Sequence, residues 1–215
     1  PSDTGGATIT GYTVTSNPES KTCTWSSGAL SCTVTGLTNG TPYTFSVTAT
    51  NSVGTGSASS SSASVTPSTT PSAPTSLVAT AGDGQISITF NAGFNGGSSI
   101  TNYKYSTDGT NYNAFSPSVT GSPVTISGLS NGTTYTIYLK AVNTNGDGVA
   151  SASVSAMPTA GTFTITFNSN GGTGSMSTQS SNVAAAITTN TFTRAGYTFS
   201  GWKTAASSGT SYADG

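Results

Sequence analysis

Only 5% of the 215 residues are charged, against about 25% in ordinary soluble domains, and the formal net charge is −1. Such a chain has no basic field to hold nucleic acid or an anionic membrane, so neither is expected as a partner. No apolar run approaches the length of about 18 residues that a membrane-spanning helix needs.

In chain order, Gly11 to Ser16 reads as a strand with Tyr12 and Val14 on one face. The segment Lys21 to Val34 then reads as a hairpin centred on Ser27-Gly28. That register sets Trp25 against Leu30 and Cys23 against Cys32. Counted outwards, the cysteines form a non-hydrogen-bonded pair, where Cα atoms approach to about 4.5 Å, the short end of disulfide geometry. A disulfide is expected, with a pair of buried thiols as the alternative; a bridge implies an oxidising, extracytoplasmic setting. Trp25, on the hairpin, is the candidate exposed aromatic contact.

Ser68-Thr-Thr-Pro-Ser-Ala-Pro74 reads as a semi-rigid, proline-stiffened linker. Beyond it, strands are predicted over 75–79 and 85–90, with Ile86, Ile88 and Phe90 facing a core. Tyr103 and Tyr105 continue that core, and Asp108-Gly109 marks a turn. Val124 and Ile126 lead into Gly128 to Gly148, a turn at Asn131-Gly132, a strand over 134–142 and a second turn. Tyr135, Ile137, Leu139 and Ala141 share one face of that strand; Val149–Ala156 closes the sheet.

The segment starting at Gly128 repeats an earlier one. Gly36-Leu-Thr-Asn-Gly-Thr-Pro-Tyr lies 92 residues before Gly128-Leu-Ser-Asn-Gly-Thr-Thr-Tyr. Gly5-Gly6, Ile9-Thr10 and Tyr12 likewise match Gly96-Gly97, Ile100-Thr101 and Tyr103. Solenoid units run to about 20–50 residues, so a repeat of this length is a whole domain.

Leu-x-Asn-Gly-Thr-x-Tyr before a Thr-rich strand resembles the E–F corner of the fibronectin type III domain. The resemblance covers roughly residues 1–158 and implies an all-β fold of two β-sandwiches. It makes Tyr43 and Tyr135 corner tyrosines, whose hydroxyls bond back to upstream backbone, with Leu37 and Leu129 as core residues beside them. Residues 1–67 are expected to be an N-terminally incomplete module, 68–73 a linker and 74–158 a complete module. Mapping Pro71 back by the repeat length puts the first two strands of module one before residue 1. A longer parent chain, or strands from a neighbouring chain, is therefore expected.

From Gly161 the texture changes. Phe-Asn-Ser-Asn-Gly-Gly at 167–172, Arg-Ala-Gly-Tyr-Thr-Phe-Ser-Gly-Trp at 194–202 and Tyr212-Ala-Asp-Gly215 resemble the Listeria–Bacteroides (internalin-type B) repeat. This implies a partial β-grasp-like repeat over 161–215, C-terminally incomplete, opening with a strictly alternating strand over 162–168.

Chemistry is sparse. Without histidine there is no Ser-His triad and no imidazole metal ligand. Asp83, Asp108, Asp147 and Asp214 each precede a glycine, which fits turn formation, and no loop carries the converging acids of a calcium site. Lys104 and Lys140 alternate with core positions and are expected to point outwards. No catalytic residue, metal site or cofactor is expected, and the chain is read as non-enzymatic. The resemblances imply a structural or adhesive segment of a secreted bacterial surface or extracellular-matrix protein. With only five Lys and Arg to guard the β-edges, fibre formation through those edges is expected, with a flexible string of independent beads as the alternative. The segment's partners would be copies of itself, neighbouring modules, carbohydrate or a host surface. The alternatives are an accessory region, spacer or carbohydrate-binding, of a secreted polysaccharide-degrading enzyme, and a host-binding adhesin.

Overall fold

Strands joined by turns and bends make up the computed structural model, which describes residues 1, 3–203 and 211–212, the last two by backbone alone; no helix occurs among them. β1 (Ile9–Asn17), β2 (Thr22–Trp25) and β3 (Thr44–Asn51) form one antiparallel sheet in the order β2-β1-β3. Val14 sits opposite Cys23 on one side and Val47 on the other. β-branched residues dominate these strands, as a half-buried pleated surface favours.

The predicted hairpin ladder does not form. β2 ends at Trp25, residues 31–35 lie outside any strand, and β2 pairs with β1 instead. Cys23 and Cys32 are nonetheless bonded, with Cα atoms 5.9 Å apart rather than at the closest ladder spacing. A disulfide needs only this Cα separation and converging Cβ atoms, so it tolerates loss of the ladder.

The serine-rich stretch after β3 covers that strand's outer edge. Ser59 N–H donates to Val47 O (2.9 Å) and Ser62 N–H to Phe45 O (2.8 Å). Their hydroxyls accept in return from Val47 and Phe45 N–H, both at 3.0 Å. That edge of β3 is thus paired along its length from Phe45 to Val47.

Eight strands follow: β4 (Thr75–Gly82), β5 (Gln85–Asn91), β6 (Asn102–Ser106), β7 (Asn113–Ala114), β8 (Val124–Ser127), β9 (Tyr135–Asn143), β10 (Gly146–Asp147) and β11 (Val154–Ala156). One sheet runs β4-β5-β8; the other runs β10-β9-β6-β7, with β11 also on β9. The rings of Phe90 and Tyr103 meet edge to face at 4.8 Å, joining β5 to β6 across the sandwich. Alternation buries Ile86, Ile88 and Phe90 on β5, Val124 and Ile126 on β8, and Ile137, Leu139 and Ala141 on β9. Two expectations shift. Tyr105 is half-buried, and the closing strand is only Val154–Ala156, although Gly148 and Ser151 N–H already donate to Ala141 O and Leu139 O, both at 2.8 Å. Serine again meets the long strand: Ser151 Oγ accepts from Leu139 N–H at 2.9 Å, 92 residues beyond the Ser59–Val47 bond.

β12 (Phe163–Ile165) pairs with β13 (Gln179–Ser181), and β14 (Trp202–Lys203) with β15 (Ser211–Tyr212). The alternating strand predicted over 162–168 is reduced to three residues, with Phe163 71% exposed. None of residues 161–203 is buried. Packing clusters the chain into two units, Pro1–Ala79 with Ile88–Val124 and Tyr135–Ser155, and Thr80–Ser87 with Thr125–Thr134 and Ala156–Gly215.

Hydroxyl pairs recur across neighbouring segments: Thr50 with Thr55 (2.9 Å), Ser98 with Thr144 (2.9 Å), Thr136 with Ser155 (3.2 Å), Thr164 with Ser180 (2.9 Å) and Thr173 with Thr193 (3.0 Å).

Candidate functional site

The acids make turns and local bonds. Asp108 Oδ1 accepts from the N–H groups of Thr110 and Asn111, both at 2.8 Å, an Asx-type arrangement. The Asn111 side chain adds a third donor, and together these hold the Asp108 carboxyl far below its ordinary value. Asp83 accepts from Asn131 Nδ2 (2.7 Å), which with the Gly161 backbone lowers its pKa. Asp147 pairs with Lys104 at 2.8 Å, and Lys140 lies 4.1 Å over the Tyr112 ring. Asp214 lies outside the described residues. No cluster of three potential metal ligands occurs among those described.

Tyr43 is fully buried at the start of the long strand of residues 1–67, and its hydroxyl accepts from Thr38 N–H at 2.9 Å. The Tyr43 and Thr38 hydroxyls hold the Glu19 carboxyl below its usual range; Thr38 Oγ1 donates to Glu19 Oε1 at 2.9 Å. Tyr135 opens β9 and is half-buried. Leu37 and Leu129, expected in the core, are half-buried too, because each sits in the turn before its tyrosine. Trp25, expected to be exposed, is half-buried: its ring packs on Tyr12 at 5.5 Å, directly opposite it in the β1–β2 register.

The segment 67–74 is fixed by backbone contacts. Gly40 N–H donates to Pro67 O (2.9 Å), Thr69 N–H to Gly96 O (2.8 Å) and Ser72 N–H to Phe94 O (2.9 Å). Asn143 Nδ2 reaches both Thr69 O (2.7 Å) and Asn95 O (2.9 Å). Pro71 and Pro74 are buried. Gly97, at φ 83°, lies so close to Gly40 N and Pro67 O that a Cβ would collide with both.

In the C-terminal region a groove of about 1160 Å³ is lined by residues 168–173, 190, 192–195 and 197–203. Trp202 anchors it, its ring 4.7 Å from that of Phe167 and 4.9 Å from that of Phe199. Arg194 lies 4.2 Å over the Tyr197 ring.

Residues 1–66 and 72–157 match the fibronectin type III domain, and residues 163–215 match the Listeria–Bacteroides repeat domain. The chain belongs to the fibronectin type III family. Chitinase A1 of Niallia circulans is 35% identical over 162 residues, which are 71% of this chain and 22% of that protein. The chain thus spans about a fifth of that relative's length. Among solved structures, the FN1–FN3 domains of chicken CNTN1 align over 76% of this chain and 64% of theirs, at 18% identity and a TM-score of 0.41.

Three features of these fibronectin type III modules lay beyond sequence reasoning. Glu19 joins Tyr43 and Thr38 although it is 19 residues from Thr38 in sequence. Asn143 reads as the end of a strand but fastens the linker. Ser59 and Ser151 repeat at the same 92-residue spacing as the tyrosines, a signal the surrounding serine richness conceals.

Proposed function

We propose that these modules serve as a non-catalytic spacing and structural segment of a secreted bacterial surface protein. The observation that carries this reading is the pinned linker. A tether that only joined two independent beads would leave its backbone to water, whereas residues 67–72 bond to the modules on either side. The Cys23–Cys32 bridge fits an oxidising, extracytoplasmic location. Backbone relaxation by NMR tests the idea on the whole chain. Residues 68–74 should show the same heteronuclear NOE as β9; values typical of a free tether would overturn it.

A second reading is favoured by the match to Chitinase A1: an accessory region of a secreted polysaccharide-degrading enzyme. If the parent protein carries a catalytic domain, deleting these modules should slow attack on insoluble polysaccharide and leave soluble oligosaccharides unaffected. Equal loss on both would count against it.

A further inference from the structure

The chain has five cationic side chains, and two of them, Arg194 and Lys203, line the groove beside Trp202. Among the described residues that line it there is no aspartate or glutamate. Elsewhere the cations have local company: Lys104 pairs with Asp147, Lys140 covers Tyr112, and Lys21 lies within electrostatic reach of Glu19. In the groove the Arg194 guanidinium is held by the Tyr197 face and by a bond from Nη1 to Asn170 O at 3.3 Å. Of its five N–H donors, the described residues engage one, at Nη1, and the rest of the fork can meet a ligand. Tyr197 is 69% exposed and Phe199 39% exposed, so aromatic surface and cations share one concavity.

We propose that this groove binds an acidic glycan, a chain of uronic-acid units. The pyranose ring carries an apolar C–H face that covers an exposed aromatic ring. Its carboxylate supplies the planar, bidentate partner that a stacked guanidinium favours over a point charge. Nucleic acid fits less well, because binding a polyphosphate draws on many cationic contacts and the groove offers two. The site is independent of the spacer reading: a stiff linker with no glycan affinity, or the reverse, would separate the two.

The test is calorimetry on the whole chain at low ionic strength. The ligands are polygalacturonate, its fully methyl-esterified form, polyglutamate and a single-stranded oligonucleotide. Polygalacturonate should bind, and the uncharged ester should bind at least about tenfold more weakly, as loss of a charge-assisted hydrogen bond predicts. Arg194→Gln and Lys203→Gln should each weaken binding severalfold. Tyr197→Ser should weaken polygalacturonate binding, through loss of both the ring face and the support it gives Arg194. Lys203 and Tyr197 are exposed, so these two variants keep the test valid if Arg194→Gln perturbs folding. The proposal falls if polygalacturonate does not bind, if Lys203→Gln and Tyr197→Ser bind it as tightly as the parent, or if polyglutamate or the oligonucleotide binds equally well.

Discussion

Residues 1–67 and 74–158 share a strand grammar but not a core. Tyr12 and Tyr103 occupy matching positions, yet Tyr12 is half-buried and Tyr103 fully buried. Val47 lies 92 residues before Leu139; Val47 is 36% exposed and Leu139 0%. The difference is the sheet β4-β5-β8, for which the described residues of 1–67 form no counterpart. Without a facing sheet, an alternating strand still pairs but only half-covers its side chains. What holds the first sheet is local: one disulfide, a buried tyrosine with its hydroxyl bonded, and a serine-rich edge.

The largest expected effect tests that asymmetry. Leu139→Ala should destabilise the second module by about 3–4 kcal/mol, since it leaves a cavity in a closed core. Val47→Ala should cost less than about 1 kcal/mol, because the site is already open to water. Residue-resolved hydrogen exchange reads both, and equal effects would show that the first sheet has a hidden core.

Next is the bridge. Cys23→Ser with Cys32→Ser should cost the first sheet about 2–3 kcal/mol, for a closed loop of short span. Exchange in β1 and β2 should rise while that in β9 stays constant. A smaller effect is expected at the tyrosines. Tyr43→Phe should cost about 1–2 kcal/mol, from one hydrogen bond and the Thr38 N–H left behind. Tyr135→Phe should cost less, in line with its half-burial, and denaturation of the two variants compares them directly.

The smallest effect is in acid. The folded-state pKa of Glu19 lies below its usual 4.5. Its contribution is therefore present above that value and fades as pH falls through the lower, folded one. Glu19→Gln should flatten the acid limb of the first module's stability curve; an unchanged limb would place the dependence on other carboxyls.

Strand identity was legible where patterning and turns agreed, as from Asn131-Gly132 to Asn143. Of the alternating set, Ile137, Leu139 and Ala141 are inside, and Tyr135 at its head is half-buried. The repeat spacing gave the tyrosines the same place at the head of each long strand. Legibility failed where a contact joins residues far apart in sequence. Trp25 reads as a hairpin tip from its neighbours, but its partner Tyr12 is on another strand. Alternation at 162–168 marked a strand and could not say that Phe163 would lack a facing layer. The Arg194–Tyr197 stack depends on how one turn folds back, which residue types three apart do not encode.

The hydroxyl pairs across neighbouring segments, Thr136 with Ser155 and Thr173 with Thr193 among them, take the place that ion pairs hold on most surfaces. A neutral hydrogen bond has no counterion atmosphere to lose, whereas attraction between exposed charges is largely screened beyond a Debye length of about 10 Å at 0.1 M salt. These bonds therefore change little between fresh water and brine. Any recognition through Arg194 and Lys203 would instead weaken with salinity.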